Sequence, residues 1–78
     1  MVDRLLGKKV IGIKQCKKTI KNGKGIILYI AKDADEKLVN PLVELAREHD
    51  VEVKYVNTMK ELGRMCGIEV GSAATLVI

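Results

Sequence analysis

The chain has 78 residues, 47% hydrophobic and 31% charged, which makes a globular domain rather than a disordered segment. No apolar run approaches the roughly 20 residues that cross a bilayer and Met1-Val2-Asp3-Arg4 does not open a signal peptide, so a cytoplasmic protein with no membrane association is expected. The net charge of +4 is uneven: Arg4, Lys8, Lys9, Lys14, Lys17, Lys18, Lys21 and Lys24 face a single acid, Asp3, in the first 24 residues, and such a basic segment on a mildly acidic body fits either a polyanion-facing surface or a solvated lysine face.

In chain order, Val2 to Leu6 has a short helical pattern, and Gly7-Lys8-Lys9 breaks it. Val10-Ile11 is a short strand. A helix follows from Ile13 to about Lys21, stopped by Asn22-Gly23. Residues 25–31 form a continuous apolar run, the pattern of a central strand buried on both faces. Asp33 or Asp35 can cap what comes next. Pro41 is disfavoured inside a helix, so a turn is expected over Asp35 to Leu38. A helix then starts with Asn40 as N-cap and Pro41 at its first position, burying Leu42, Leu45 and Ala46 and ending near His49-Asp50. Val51 to Val56 alternates as a half-buried strand with Val51, Val53 and Tyr55 on one face. Thr58 and Glu61 make a capping box for a helix that buries Leu62, Met65 and Cys66 and closes at Gly67. The loop Ile68-Glu69-Val70-Gly71-Ser72 leads to a last strand, Ala74 to Ile78. Strands alternating with helices predict an α/β fold, a three-layer α/β/α sandwich on a small mixed four-stranded sheet. The whole chain, 1–78, reads as one domain.

The helix from Ile13 has two faces. At about 100° per residue, Ile13, Cys16 and Ile20 fall on one side, while Lys14, Gln15 and Lys18 share an arc on the other. One face packs, and the other presents two ammonium groups and an amide. Gly12 lets another backbone approach closely, and the first-turn N–H groups add a positive dipole end. This is a small anion-facing device with one polar reader.

Other chemistry finds little support. Cys16 and Cys66 sit at apolar positions and form no C-x-x-C pair, and a chain with one histidine lacks ligands for zinc. His49 suits a helix C-terminus. Asp33 and Asp35 alone make a weak metal pair, and capping suits them better. Asn22-Gly-Lys-Gly25 lacks phosphate-loop spacing and reads as a helix stop. Tyr29 and Tyr55 sit in strand patterns and are expected in the core, so base stacking on a sheet is not the expected route to RNA. A helix cannot read the narrow major groove of regular A-form RNA; the basic helix needs a place where the duplex is bent open.

Ile11-Gly12-Ile13-Lys14-Gln15-x-x-Lys18, then Gly23, the strand ending Ala31-Lys32-Asp33-Ala34-Asp35, Leu62-Gly63-Arg64-x-Cys66-Gly67 and the loop Ile68-Glu69-Val70-Gly71 together resemble one family. It is the kink-turn RNA-binding ribosomal proteins of the L7Ae and L30e type, and the resemblance runs from about Leu5 to Ile78. It implies an α/β/α sandwich that binds RNA where tandem sheared G·A pairs follow a bulge and the axis bends sharply. The family motif G-[TS]-N-E-x-x-K contacts the G·A edges, which implies base-contacting roles for Lys14, Gln15 and Lys18, with Gly12 allowing close approach. The apolar loop over the bulge corresponds to Ile68, Glu69 and Val70. Several positions depart from the archaeal pattern. Lys14-Gln15 replaces Asn-Glu, as in a bacterial branch, Ile13 replaces a small hydroxyl residue, Gly71 replaces proline, and Met59 stands where a lysine is usual, with Lys60 beside it. Lysine can donate to guanine O6 and N7, and glutamine offers donors and an acceptor; losing the glutamate removes an acceptor for guanine N–H groups.

The resulting expectation is a non-enzymatic RNA-binding protein, monomeric and without cofactors or metals, acting on ribosomal or structured leader RNA. Phosphate contacts from Lys17, Lys21 and Arg64 would position it while Lys14, Gln15 and Lys18 specify. The alternatives are a protein-interaction module meeting an acidic partner, or a generic polyanion binder.

Overall fold

The computed structural model describes residues 8–78; the helical pattern at Val2 to Leu6 lies outside them. The element order is β1 (Lys9–Ile11), α1 (Ile13–Lys21), β2 (Ile27–Ala31), α2 (Glu36–Glu48), β3 (Glu52–Val56), α3 (Met59–Met65) and β4 (Ala74–Val77). The four strands form one mixed sheet in the order β1-β4-β2-β3. β4 runs antiparallel to both β1 and β2, and β2 and β3 are parallel, joined through α2. α1 and α2 pack side by side on the sheet, while α3 packs against β2, β3 and β4 without joining that pair. The architecture is the expected α/β/α sandwich.

The core lies mainly between the sheet and the helix pair. Cys16 and Ile20 of α1, Val39, Leu42, Val43 and Ala46 of α2, Leu28 and Ile30 of β2, and Ala74 and Leu76 of β4 are buried. The polar face of α1 is outside, with Lys14, Gln15, Lys17, Lys18 and Lys21 exposed, as its periodicity requires. Both cysteines are buried free thiols. Burial pushes the Cys16 thiol up to about 12, only partly offset by a backbone hydrogen bond.

All three helices stop in the same way. Gly23, Asp50 and Gly67 each take positive φ one residue past the cap. At α1, Gly23 N–H donates to Ile20 C=O at 2.9 Å and Lys24 N–H to Thr19 C=O at 3.2 Å. At α3, Gly67 N–H donates to Arg64 C=O and Ile68 N–H to Gly63 C=O, both at 3.0 Å. At α2, Asp50 N–H donates to Arg47 C=O at 3.2 Å and Val51 N–H to Ala46 C=O at 2.8 Å. These paired bonds are Schellman motifs. His49 caps α2, with its Nδ1 3.0 Å from the Leu45 carbonyl oxygen.

Three expectations need correction. First, α2 is one helix from Glu36 through Pro41, not a turn followed by a helix capped at Asn40. Asp35 is the N-cap, its Oδ1 accepting from Lys37 N–H at 3.0 Å. Val39 is buried with Leu42, Val43 and Ala46, so the apolar stripe runs straight past the proline, whose exposed ring faces solvent. Burial and a good cap outweigh the missing N–H. Secondly, the run 25–31 becomes a strand only at Ile27, and one face only is fully buried, with Ile27 and Tyr29 half-covered. Gly25 has φ +137°, and the Leu76 and Val51 side chains lie against it, so the chain is still turning there. Thirdly, Tyr55 is 51% exposed because β3 is the sheet edge and Tyr55 lies near its end.

Candidate nucleic-acid interface

β1, β2 and β3 all run the same way, so their C-terminal ends lie together at one end of the sheet, beside the N-terminal end of β4. Four connections emerge there: Gly12 into α1, residues 32–35 into α2, Asn57-Thr58 into α3, and the loop 66–73 that returns to β4. Crevices outside the carboxyl ends of strands are the usual ligand positions in open α/β sheets. Gly12 N–H donates to the Ala74 carbonyl at 3.0 Å, which seats the first turn of α1 directly beside the point where the loop 68–73 enters β4. The resemblance's two separate segments, Gly12-Lys14-Gln15 and Ile68-Glu69-Val70, therefore share one end of the molecule.

Gly12 has φ 103° and ψ 148°, a region essentially confined to glycine. A Cβ there would meet nothing within 4 Å. The glycine is required by backbone conformation, and the space above it is open. α1 has no side-chain cap and no acid in its first turn, unlike α2 and α3, which begin with Asp35-Glu36 and with Thr58 and Glu61. The first-turn N–H groups of α1 thus point out with Lys14 and Gln15 beside them. Lys18 lies one turn further along the same side, and Lys17 and Lys21 extend the basic face toward the other end of the sheet.

The loop is held closely against α3. Its upstream end is the Schellman turn at Gly67-Ile68. Its downstream end is fixed by Ser72, whose hydroxyl donates to the Ala74 carbonyl at 2.9 Å and meets Thr75 Oγ1 at 3.0 Å; Thr75 Oγ1 in turn lies 3.1 Å from Cys66 Sγ. Among the described residues, no buried side-chain N or O lacks a partner. Between these anchors Ile68 is half-buried, Glu69 is exposed and Val70 is 71% exposed. The loop presents an apolar tip and one carboxylate. Arg64 is exposed on α3, in the sheet layer opposite α1, so it is not part of the basic face that α1 carries.

The expected capping chemistry of the aspartates is present. Asp35 caps α2, and Asp33 Oδ1 accepts from Met59 N–H at 2.8 Å. Thr58 Oγ1 accepts from Glu61 N–H at 3.0 Å. The sequence motifs include Lys32 and Lys60 but give neither a place in the site. Lys32 N–H donates to the Val56 carbonyl at 2.8 Å, which places Lys32 at the same strand ends, and Lys60 is exposed in the first turn of α3. The signal was available: a residue just after a parallel strand, or just inside the helix after one, lies at the carboxyl end of the sheet. Among the described residues no group of three or more His, Cys, Asp or Glu is placed to hold a metal ion, and no helix is long and apolar enough to cross a membrane.

Residues 5–78 match the profile of the Ribosomal protein L7Ae/L30e/S12e/Gadd45 family. An RNA-binding protein of Geobacillus sp. strain WCH70 is 42% identical over 72 residues, covering 92% of this chain and 88% of that protein. An RNA-binding protein of Caldanaerobacter subterraneus subsp. tengcongensis is 47% identical over 73 residues, covering 94% and 89%. The large ribosomal subunit protein eL8 of Halobacterium salinarum is 41% identical over 68 residues, covering 86% of this chain but 57% of its own length. Among solved structures, a 15.5 kD RNA-binding protein of Giardia lamblia superposes with a TM-score of 0.83 at 24% identity; the match covers 88% of this chain and 58% of that one and shows a common fold. By profile and by relatives of bacterial type, this chain belongs to the L7Ae/L30e/S12e/Gadd45 ribosomal protein family.

Proposed function

We propose that this RNA-binding, non-enzymatic protein recognises and stabilises kink-turn RNA. What supports the reading is the meeting of the α1 start and the loop 68–70 at one end of the sheet, joined by the Gly12 to Ala74 hydrogen bond. In this reading Gly12 admits the RNA backbone, and Lys14, Gln15 and Lys18 address the edges of the G·A pairs. Ile68, Glu69 and Val70 cover the bulge. Lys17 and Lys21 meet phosphates along α1, and Arg64 meets them from the α3 side. The protein binds only the kinked form and so draws the RNA equilibrium toward it. It acts as a monomer in the cytoplasm, on ribosomal or structured leader RNA.

The test is a titration against a short kink-turn RNA at about 0.15 M salt, with a control in which the tandem G·A pairs are changed to Watson–Crick pairs. Strong preference for the intact motif is the expected result. Equal, salt-sensitive binding to both would leave a generic polyanion binder, and binding to neither would leave a protein-interaction module.

A further inference from the structure

Met59, the first residue of α3, is where three separate segments meet. Its N–H donates to Asp33 Oδ1 at 2.8 Å, across 26 positions of sequence. Its carbonyl accepts from Ser72 N–H at 3.0 Å. Gly71 lies so close that a Cβ there would stand 3.1 Å from Met59 Cβ and 3.2 Å from the Met59 carbonyl carbon. Asp33 belongs to the turn after β2, while Gly71 and Ser72 close the loop 68–73. The Met59 backbone therefore links the carboxylate to the loop.

The first N–H groups of a helix have no partner within the helix. Thr58 Oγ1 serves Glu61, and Asp33 serves Met59 from a different part of the chain. A carboxylate accepting from a backbone N–H makes a charge-assisted bond, stronger than a neutral one.

We infer that Asp33 is a positioning residue for the loop Ile68–Gly71: through Met59 it holds the first turn of α3, and with it the loop, in the conformation that meets RNA. The role needs an acceptor oxygen at this position, and the carboxylate charge strengthens the bond it makes. The RNA part of this inference rests on the kink-turn reading; the loop part does not.

The experiment compares wild type, Asp33→Ala and Asp33→Asn by amide hydrogen exchange in the RNA-free protein and by titration with a kink-turn RNA, its Watson–Crick control and a plain duplex. In Asp33→Ala, exchange at Ser72 should rise by about tenfold, the scale of one lost hydrogen bond, while Gly12 and Ala31, whose N–H groups donate to Ala74 and Ala73, keep their protection. Kink-turn affinity should fall by a similar factor without loss on the plain duplex. Asp33→Asn, which retains Oδ1 as a neutral acceptor, should recover a large part of both. Unchanged exchange at Ser72 would overturn the inference, and so would an equal rise at Gly12 and Ala31, which would mean general destabilisation. Failure of Asp33→Asn to rescue would overturn the acceptor role. A wild type that does not distinguish the kink-turn from its Watson–Crick control, with Ser72 exchange altered as expected, would defeat the kink-turn reading and leave the loop role standing. A discriminating wild type matched in affinity by Asp33→Ala would defeat the RNA part.

Discussion

Gly63 offers a test in which helix propensity and tertiary packing predict opposite signs. It lies inside α3, where alanine is favoured over glycine by about 0.8–1 kcal/mol. On propensity alone, Gly63→Ala stabilises the protein. A Cβ at Gly63, however, would collide with the Val70 carbonyl oxygen and stand 3.1 Å from Gly71 Cα. Both are backbone atoms, so no rotamer change relieves the contact. Overpacking of this kind costs about 1–3 kcal/mol. Set against the propensity gain, the net loss is up to about 2 kcal/mol. The cheapest relief is for the loop to lift from α3, which strains the Ser72 N–H bond to Met59. The stability loss should then be modest and the loss of kink-turn affinity larger. Urea denaturation gives the first quantity and RNA titration the second. A variant stabilised by about 1 kcal/mol with unchanged affinity would refute the reasoning, because the loop would then not be packed on the helix as described.

Three further outcomes follow from the same structure. Lys18→Ala should weaken kink-turn binding by about 1–3 kcal/mol; wild-type affinity in a titration would remove Lys18 from the base-contacting set. Asp50 carries φ 58° as a non-glycine residue in the Schellman turn after α2, so Asp50→Gly should raise stability by about 1 kcal/mol or less, read as a higher urea midpoint at an unchanged slope. The buried Cys16 thiol, raised from 9.0 to about 12, keeps a proton that the unfolded chain releases. Its contribution to stability is complete below pH 9.0 and is lost as the pH rises toward about 12. Urea midpoints followed from about pH 8 to pH 11 should therefore decline more steeply in wild type than in Cys16→Ala, and parallel declines would refute this.

By itself the sequence determined what is local. The bounds of α1 follow from Gly12, from the apolar side Ile13-Cys16-Ile20 and from the Asn22-Gly23 stop, all within about three turns, and the structure reproduces them. The Thr58–Glu61 cap and the Gly67 stop of α3 are equally short-range. The same periodicity turned Lys14, Gln15 and Lys18 outward. Only the tertiary structure decided the rest. Pro41 stands inside α2 because Val39, Leu42, Val43 and Ala46 bury against partners far away in sequence, and that gain exceeds the local cost of the proline. Tyr55 is exposed because β3 falls at the sheet edge, which is a property of strand order and not of the strand. Gly63 and Gly71 are glycines because a backbone segment comes to rest on α3, and Asp33 caps a helix that begins 26 positions later. The placement of the loop 68–70 beside the start of α1 has the same origin. It depends on β4 lying between β1 and β2, antiparallel to both, and pairing between strands more than 40 residues apart leaves no signature in the periodicity of either one.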